Sequence, residues 1–221
     1  MTVFFDIIVC LILTAFGYVF VRNYLNDKKS LKIERDMLKI TRSTVLYFGF
    51  AVIAFGITIT VFQLVYSISL IGQLKLLVLI AALIPTAAAD FRTHKIPNQI
   101  ILAAVALRLV LFGVEFIESV DKGLATLKDC LLGALIIGGF FLLLFFLLKN
   151  SIGMGDVKLF AVMGLYQGLW GAVNAVFFSL VVSFFVSIIL LISKKKKRKD
   201  TIAFGPCILA GTVIAVNLAG M

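Results

Sequence analysis

Charge is scarce in this 221-residue chain: 14% of its residues are charged, whereas 62% are hydrophobic. A soluble globular domain carries about 25% charged residues, so the composition excludes an ordinary soluble protein. The mean hydropathy is +1.14, and apolar runs of about 20 residues, long enough to cross a bilayer, recur along the chain. The sequence therefore predicts an all-α integral membrane protein with a single transmembrane domain over residues 1–221.

Residues that commonly bind metals are also few, with one histidine and three cysteines. Cys10, Cys130 and Cys207 lie singly within apolar runs, without the Cys-x-x-Cys spacing of a zinc site or a redox disulfide. His94 likewise has no neighbouring ligand in the sequence. We therefore expect no metal and no cofactor, and we interpret the cysteines as small apolar side chains.

Hydropathy predicts a polytopic bundle of about eight transmembrane helices. Residues 1–43 are expected to form the first span and a short basic loop. The eight predicted spans cover residues 3–22, 44–67, 70–89, 97–116, 125–148, 156–170, 172–193 and 202–220.

The formal net charge of +10 is distributed as membrane topology requires. Most lysines and arginines fall in or beside four connections, which are residues 23–43, 90–96, 149–155 and 194–201. The positive-inside rule places these connections in the cytoplasm and the amino terminus outside. The basic run at 194–199 follows an apolar helix, so we interpret it as a contact with anionic lipid, not nucleic acid. The oligomeric state stays open.

Two aspartates, Asp90 and Asp156, fall on this predicted cytoplasmic edge. A carboxylate at a membrane boundary is costly unless it has a task, so the pair is the first candidate for function. After Asp90 the chain continues to Pro97 and Asn98, which either mark the start of the next helix or contact a substrate. The sequence alone leaves both interpretations open.

Asp156 belongs to the string Gly-Met-Gly-Asp-Val-Lys at 153–158. Gly153 and Gly155 leave the backbone free to unwind and remove side chains that would keep another chain away. Taken alone, the string is equally consistent with Asp156 as the N-cap of a helix. Lys158 lies two positions beyond, about 200° around a helix, so we expect it to point away from Asp156 and to reach lipid headgroups.

Two carboxylates that meet in an apolar bundle cannot both ionise comfortably, so one holds a proton while the other activates water. Such a pair can hydrolyse a peptide bond. The charged member removes a proton from the attacking water, and the neutral member polarises the carbonyl and protonates the leaving nitrogen.

Three ordered motifs carry a family resemblance. Asp90 with Ile-Pro-Asn six residues later, the string at 153–158, and Ala-Phe-Gly-Pro at 203–206 resemble the type IV prepilin peptidases, which are intramembrane aspartic proteases of the Gly-x-Gly-Asp class. The similarity covers about residues 70–220, the expected peptidase core. It implies that Asp90 and Asp156 are catalytic and that the site faces the cytoplasm from the plasma membrane. The expected supporting residues are Gly153, Gly155, Lys158, Pro97 and Asn98.

The resemblance also implies the substrate, a prepilin or pilin-like precursor whose short basic leader is removed just before a hydrophobic helix. Many bacterial members carry a zinc-binding domain with paired Cys-x-x-Cys motifs between the first two spans, and they also methylate the new amino terminus. Residues 22–43 contain no cysteine. We therefore expect a short form with peptidase activity only.

Two other function classes compete with the peptidase. A cation- or proton-coupled transporter would also use membrane carboxylates, but it would place them near the midplane in two related halves. An assembly scaffold without enzyme activity would need no aspartate pair. Arg108 lies inside a predicted span, where it needs a partner unless it approaches the outer interface.

Overall fold

The computed structural model describes residues 2–29, 47, 49, 51–61, 69–148, 152–193 and 202–219. Every regular element in these ranges is a helix, as the sequence predicts. In chain order the helices are α1 (Thr2–Lys29), α2 (Ala51–Val61), α3 (Leu70–Thr93), α4 (Asn98–Glu118), α5 (Val120–Leu147), α6 (Met154–Ile192) and α7 (Gly205–Ala219).

Four of these helices, α3 to α6, are long and apolar enough to cross a membrane, with 24, 21, 28 and 39 residues. A helix of about 20 residues spans the hydrocarbon core. Shorter apolar helices occur at Ile7–Asn23, Ala51–Val61 and Gly205–Leu218. The chain is a transmembrane protein, whereas the count of eight spans and the external amino terminus stay predictions. Most of the basic connection at 23–43 and all of the run at 194–199 lie outside the described residues.

The longest helix, α6, is interrupted at Gly168, whose backbone angles are φ 71° and ψ −170°. Only glycine adopts this conformation readily, because a Cβ atom would clash with the backbone. The element therefore consists of two helices joined end to end, which we call α6a (residues 154–167) and α6b (residues 169–192). The predicted spans 156–170 and 172–193 correspond to these halves, but the break comes slightly earlier than predicted.

Helices α5 and α6 pack through small residues that bring their backbones together. A Cβ atom on Gly133 would lie 2.6 Å from the carbonyl carbon of Gly168, and one on Gly164 would lie 2.5 Å from the backbone nitrogen of Ala134. Such close approach gives van der Waals contact between membrane helices, where lipid removes the hydrophobic driving force.

The remaining contacts connect the two helices that carry Asp90 and Asp156. Helix α7 contacts both α3 and α6, and α4 contacts α3, α5 and α6. The core between them is apolar, with Leu77, Phe160 and Tyr166 fully buried. Cys10, Cys130 and Cys207 are buried, as expected of small apolar side chains.

Candidate active site

Asp90 lies in the last turn of α3, and only 6% of its surface is exposed. The helix ends because His94 adopts the left-handed conformation, with φ 49° and ψ 34°. The N–H of His94 donates to the carbonyl oxygen of Asp90 at 2.8 Å. The sequence predicts no role for His94. In the structure it ends α3 four residues after the acid.

The carboxylate of Asp90 is held by the start of α7. Its Oδ2 accepts a hydrogen bond of 2.7 Å from the backbone N–H of Gly205, the first residue of that helix. The first N–H groups of a helix have no partner within it and form the positive end of its dipole, so a carboxylate is a favourable partner there. A Cβ atom on residue 205 would lie 3.0 Å from the Cβ of Asp90. Glycine therefore permits this close approach.

Asp156 lies in the first turn of α6, where Gly153 is the N-cap residue. The interpretation of Asp156 as the N-cap is therefore wrong by three positions. Its carboxylate lies close to that N-cap residue: a Cβ atom on Gly153 would lie 3.0 Å from Oδ2 of Asp156, so glycine leaves room for the acid. Asp156 is half-buried, so it remains more accessible than Asp90.

The structure brings the two aspartates to the same end of the bundle. Asp90 lies in the last turn of α3 and Asp156 in the first turn of α6, and Ile96, six residues after Asp90, packs on Gly155 of that first turn. The beginning of α7 contacts both acid-bearing helices: Gly205 binds Asp90, while the ring of Phe204 lies 5.8 Å from that of Phe160, one turn after Asp156. Residues 204–205 therefore connect the two parts of the site.

The predicted supporting residues lie around this pair. Pro97 is buried and is the N-cap residue of α4, which confirms the interpretation that it marks the start of a helix. A Cβ atom on Gly155 would lie 2.9 Å from the Cβ of Ile96, so the first turn of α6 packs on the segment that follows Asp90.

Lys158 has a partner that the sequence did not identify. Its Nζ donates to Oδ1 of Asn98 at 3.0 Å, while the contact with lipid headgroups stays a prediction. The bond joins the first residue of α4 to the first two turns of α6. Asn98 and Lys158 are both exposed. The sequence of α6 alone could not predict this bond, because the partner of Lys158 lies on α4.

Sequence reasoning also missed the bond between Asp90 and Gly205 and the contact of Ile96 with Gly155. The motif at 203–206 was identified, and its place at the start of a helix was a signal that its backbone N–H groups need an acceptor. Within the described ranges, no group of three or more His, Cys, Asp or Glu residues could hold a metal ion. What the site offers is two carboxylates, one of them oriented by the backbone N–H of Gly205, and a lysine two residues after Asp156.

Comparison with known proteins identifies the family of the chain. The model of the type IV leader peptidase family matches residues 77–192, a range that contains Asp90 and Asp156. Over 138 residues the chain is 28% identical to the prepilin leader peptidase/N-methyltransferase of Bacillus subtilis (strain 168). The aligned region covers 62% of this chain and 53% of that protein. The chain thus spans about half the length of this curated relative. No solved structure matches this chain. Because the family match covers more than half of the 221 residues, the chain belongs to the type IV leader peptidase family.

Proposed function

We propose that the protein is an intramembrane aspartic endopeptidase that removes the short basic leader of prepilin-like precursors on the cytoplasmic side of the plasma membrane. The observation that supports this proposal is that Asp90 and Asp156, on separate helices, lie at the same end of an apolar bundle, where residues 204–205 contact both acid-bearing helices.

In the proposed reaction the two carboxylates share one proton. The charged member removes a proton from water as the water attacks the scissile carbonyl, and the neutral member donates a hydrogen bond to that carbonyl. The neutral member then protonates the leaving nitrogen, which leaves the pair with one proton, now on the other carboxylate; after product release the proton can return to the first member. The bond from Gly205 orients the carboxylate of Asp90 before the substrate arrives.

Family membership and the name of the Bacillus subtilis relative, a prepilin leader peptidase, support a prepilin-type precursor as the substrate. The distribution of lysine and arginine supports a cytoplasmic site, because the loops next to both aspartates are basic. Family membership also favours a peptidase over a cation-coupled transporter. The relative is named a methyltransferase as well, but we propose peptidase activity alone for this chain, since residues 22–43 contain no cysteine.

The test replaces each acid with its uncharged isostere, as Asp90→Asn and Asp156→Asn, in protein purified in detergent with a prepilin-like precursor. Each variant is expected to lose cleavage by about 10²-fold to 10⁴-fold, because an amide cannot exchange the proton that general acid–base catalysis requires. Asp121→Asn is the matched control, because Asp121 is exposed in the first turn of α5 and lies outside the site. If either site variant cleaves at the rate of the control, that aspartate is not catalytic.

A further inference from the structure

Arg108 is a fully buried cation that the proposed reaction does not use. It lies inside α4 with 1% of its surface exposed. Its two terminal nitrogens bind the two oxygens of Glu115 at 3.2 Å each, and its guanidinium carbon lies 3.8 Å from the centre of the Phe112 ring. Glu115 is therefore the partner that the sequence did not identify, and the fork geometry and the ring offset the cost of burying the charge.

The third contact of Arg108 is made at the break in α6. In a continuous helix, the N–H of Leu169 would donate to the carbonyl of Leu165. Gly168 turns the chain, and the N–H of Leu169 donates instead to Oδ1 of Asp129 on α5, at 3.3 Å. The carbonyl of Leu165 accepts from Nε of Arg108, at 2.9 Å. One cation from α4 and one anion from α5 thus replace the single helix bond that the break removes.

This arrangement fixes the end of α6a that lies farthest from the active site. The hydroxyl of Tyr166 adds a bond of 2.7 Å to the carbonyl of Ala104, so α4 holds two consecutive residues of α6a. Asp156 lies twelve residues before Gly168, a lever of about 18 Å in a helix. A swing of about 5° at the break would therefore move the Asp156 carboxylate by about 1.5 Å, and a displacement of about 1 Å can reduce a catalytic rate by about 10²-fold.

We infer that Arg108, Glu115 and Asp129 are positioning residues that clamp the Gly168 joint and thereby set the place of Asp156 relative to Asp90. The inference rests on the proposed function for its kinetic consequence, but the joint itself is a structural property. None of the three residues contacts Asp90 or Asp156, so each acts through the orientation of α6a.

The sharpest comparison is between two substitutions of Asp129, which is exposed on the bundle surface. Asp129→Asn keeps an oxygen that accepts from the N–H of Leu169, and we expect it to lose no more than about threefold in kcat. Asp129→Leu removes the acceptor, and we expect kcat to fall by about 10-fold or more with KM changed by less than about twofold. Rates are expressed per folded molecule, so a merely structural role leaves them unchanged. Equal kcat values for the two variants would overturn the inference.

A second measurement does not depend on cleavage. Spin labels are placed on Met154 of α6a and Phe184 of α6b, which are 38% and 62% exposed, and the distribution of distances between them is recorded by pulsed electron resonance. The protein without the introduced cysteines sets the background from the three buried native ones. We expect a narrow distribution with Asp129 present, and a broadened one in Asp129→Leu and in the charge-free double variant Arg108→Gln/Glu115→Gln. An unchanged distribution of distances would overturn the inference. If instead the proposed function is wrong, the unmodified protein will not cleave the precursor.

Discussion

A single methyl group at residue 205 tests whether the contact between α7 and Asp90 matters for catalysis. In Gly205→Ala the new Cβ would lie 3.0 Å from the Cβ of Asp90, 3.1 Å from its Oδ2 and 3.2 Å from the Cα of Ala87. Carbon atoms in contact prefer about 3.5–4.0 Å. Because Cα of Ala87 is backbone within α3, the beginning of α7 must withdraw by about 0.5 Å.

This displacement has a calculable effect on the site. The hydrogen bond from Gly205 to Asp90, now 2.7 Å, would lengthen to about 3.2 Å, the upper end of the normal range. If a displacement of about 1 Å costs about 10²-fold in rate, half of it costs about tenfold. Overpacking of this kind also destabilises a protein by about 1–3 kcal/mol. We therefore expect Gly205→Ala to reduce kcat about tenfold and to lower the thermal midpoint.

The assay is cleavage of a prepilin-like precursor at saturating concentration, expressed per folded molecule, together with a thermal unfolding curve. Gly139→Ala in α5 is the matched control, because a Cβ atom there would meet nothing within 4 Å. Replacing a glycine in the interior of a helix stabilises it by about 0.5–1 kcal/mol, and kcat should not change. If Gly205→Ala retains the kcat of the control, the α7 contact does not position Asp90 and that part of the reasoning is wrong.

Two further predictions concern the carboxylate pair and its surroundings. In the proposed mechanism the pair is active only while it holds one proton. We therefore expect kcat/KM to fall on the acidic side, where both groups are protonated, and on the alkaline side, where both are ionised; a flat profile between about pH 4 and about pH 8 would contradict the shared proton. Lys158→Met keeps the side-chain length but removes the bond to Asn98, and because the bond is exposed we expect a stability change below about 1 kcal/mol with a several-fold loss of kcat. Calorimetry and steady-state kinetics together check this, and an unchanged kcat would show that the bond does not position the first turn of α6.

The helical class was predictable because charge is rare and apolar runs are long, but the ends of the helices were not. The span predicted at 70–89 belongs to a helix that continues to Thr93, and the span predicted at 125–148 belongs to one that begins at Val120. Hydropathy detects the apolar part of a helix, whereas backbone hydrogen bonds continue into its polar ends. Asp90 therefore lies within α3 and not in the connection after it.

The break in α6 was predicted at residue 171, between two spans, but its exact place at Gly168 could not be read from composition. Residues 165–170 read Leu-Tyr-Gln-Gly-Leu-Trp, a sequence that a continuous membrane helix tolerates. What distinguishes Gly168 is its positive φ and the charged side chains of Arg108 and Asp129, which arrive from two other helices. Such partners depend on packing, which one sequence does not reveal.

The aspartates were found from sequence because acids stand out at the ends of apolar runs, whereas their partners were not found. Backbone N–H groups leave no mark in a sequence, so the acceptor role of Asp90 toward Gly205 required the structure. The partner of Lys158 was missed because the direction of the side chain was judged on its own helix. Its side chain is long enough to cross to Asn98, the first residue of a neighbouring helix.

The candidate site is built from helix ends and not from helix middles, and this explains how two acids are accommodated. The last turn of α3 carries Asp90, the first turn of α6 carries Asp156, and the first residue of α7, Gly205, donates its N–H to the carboxylate of Asp90. An arginine partner would fix the charge of a carboxylate, whereas neutral N–H donors orient it and still allow it to exchange a proton. Arg108 forms an ion pair with Glu115 and donates a hydrogen bond to the carbonyl of Leu165 at the Gly168 joint. The fold thus separates the cation that sets geometry from the acids that are proposed to perform the chemistry.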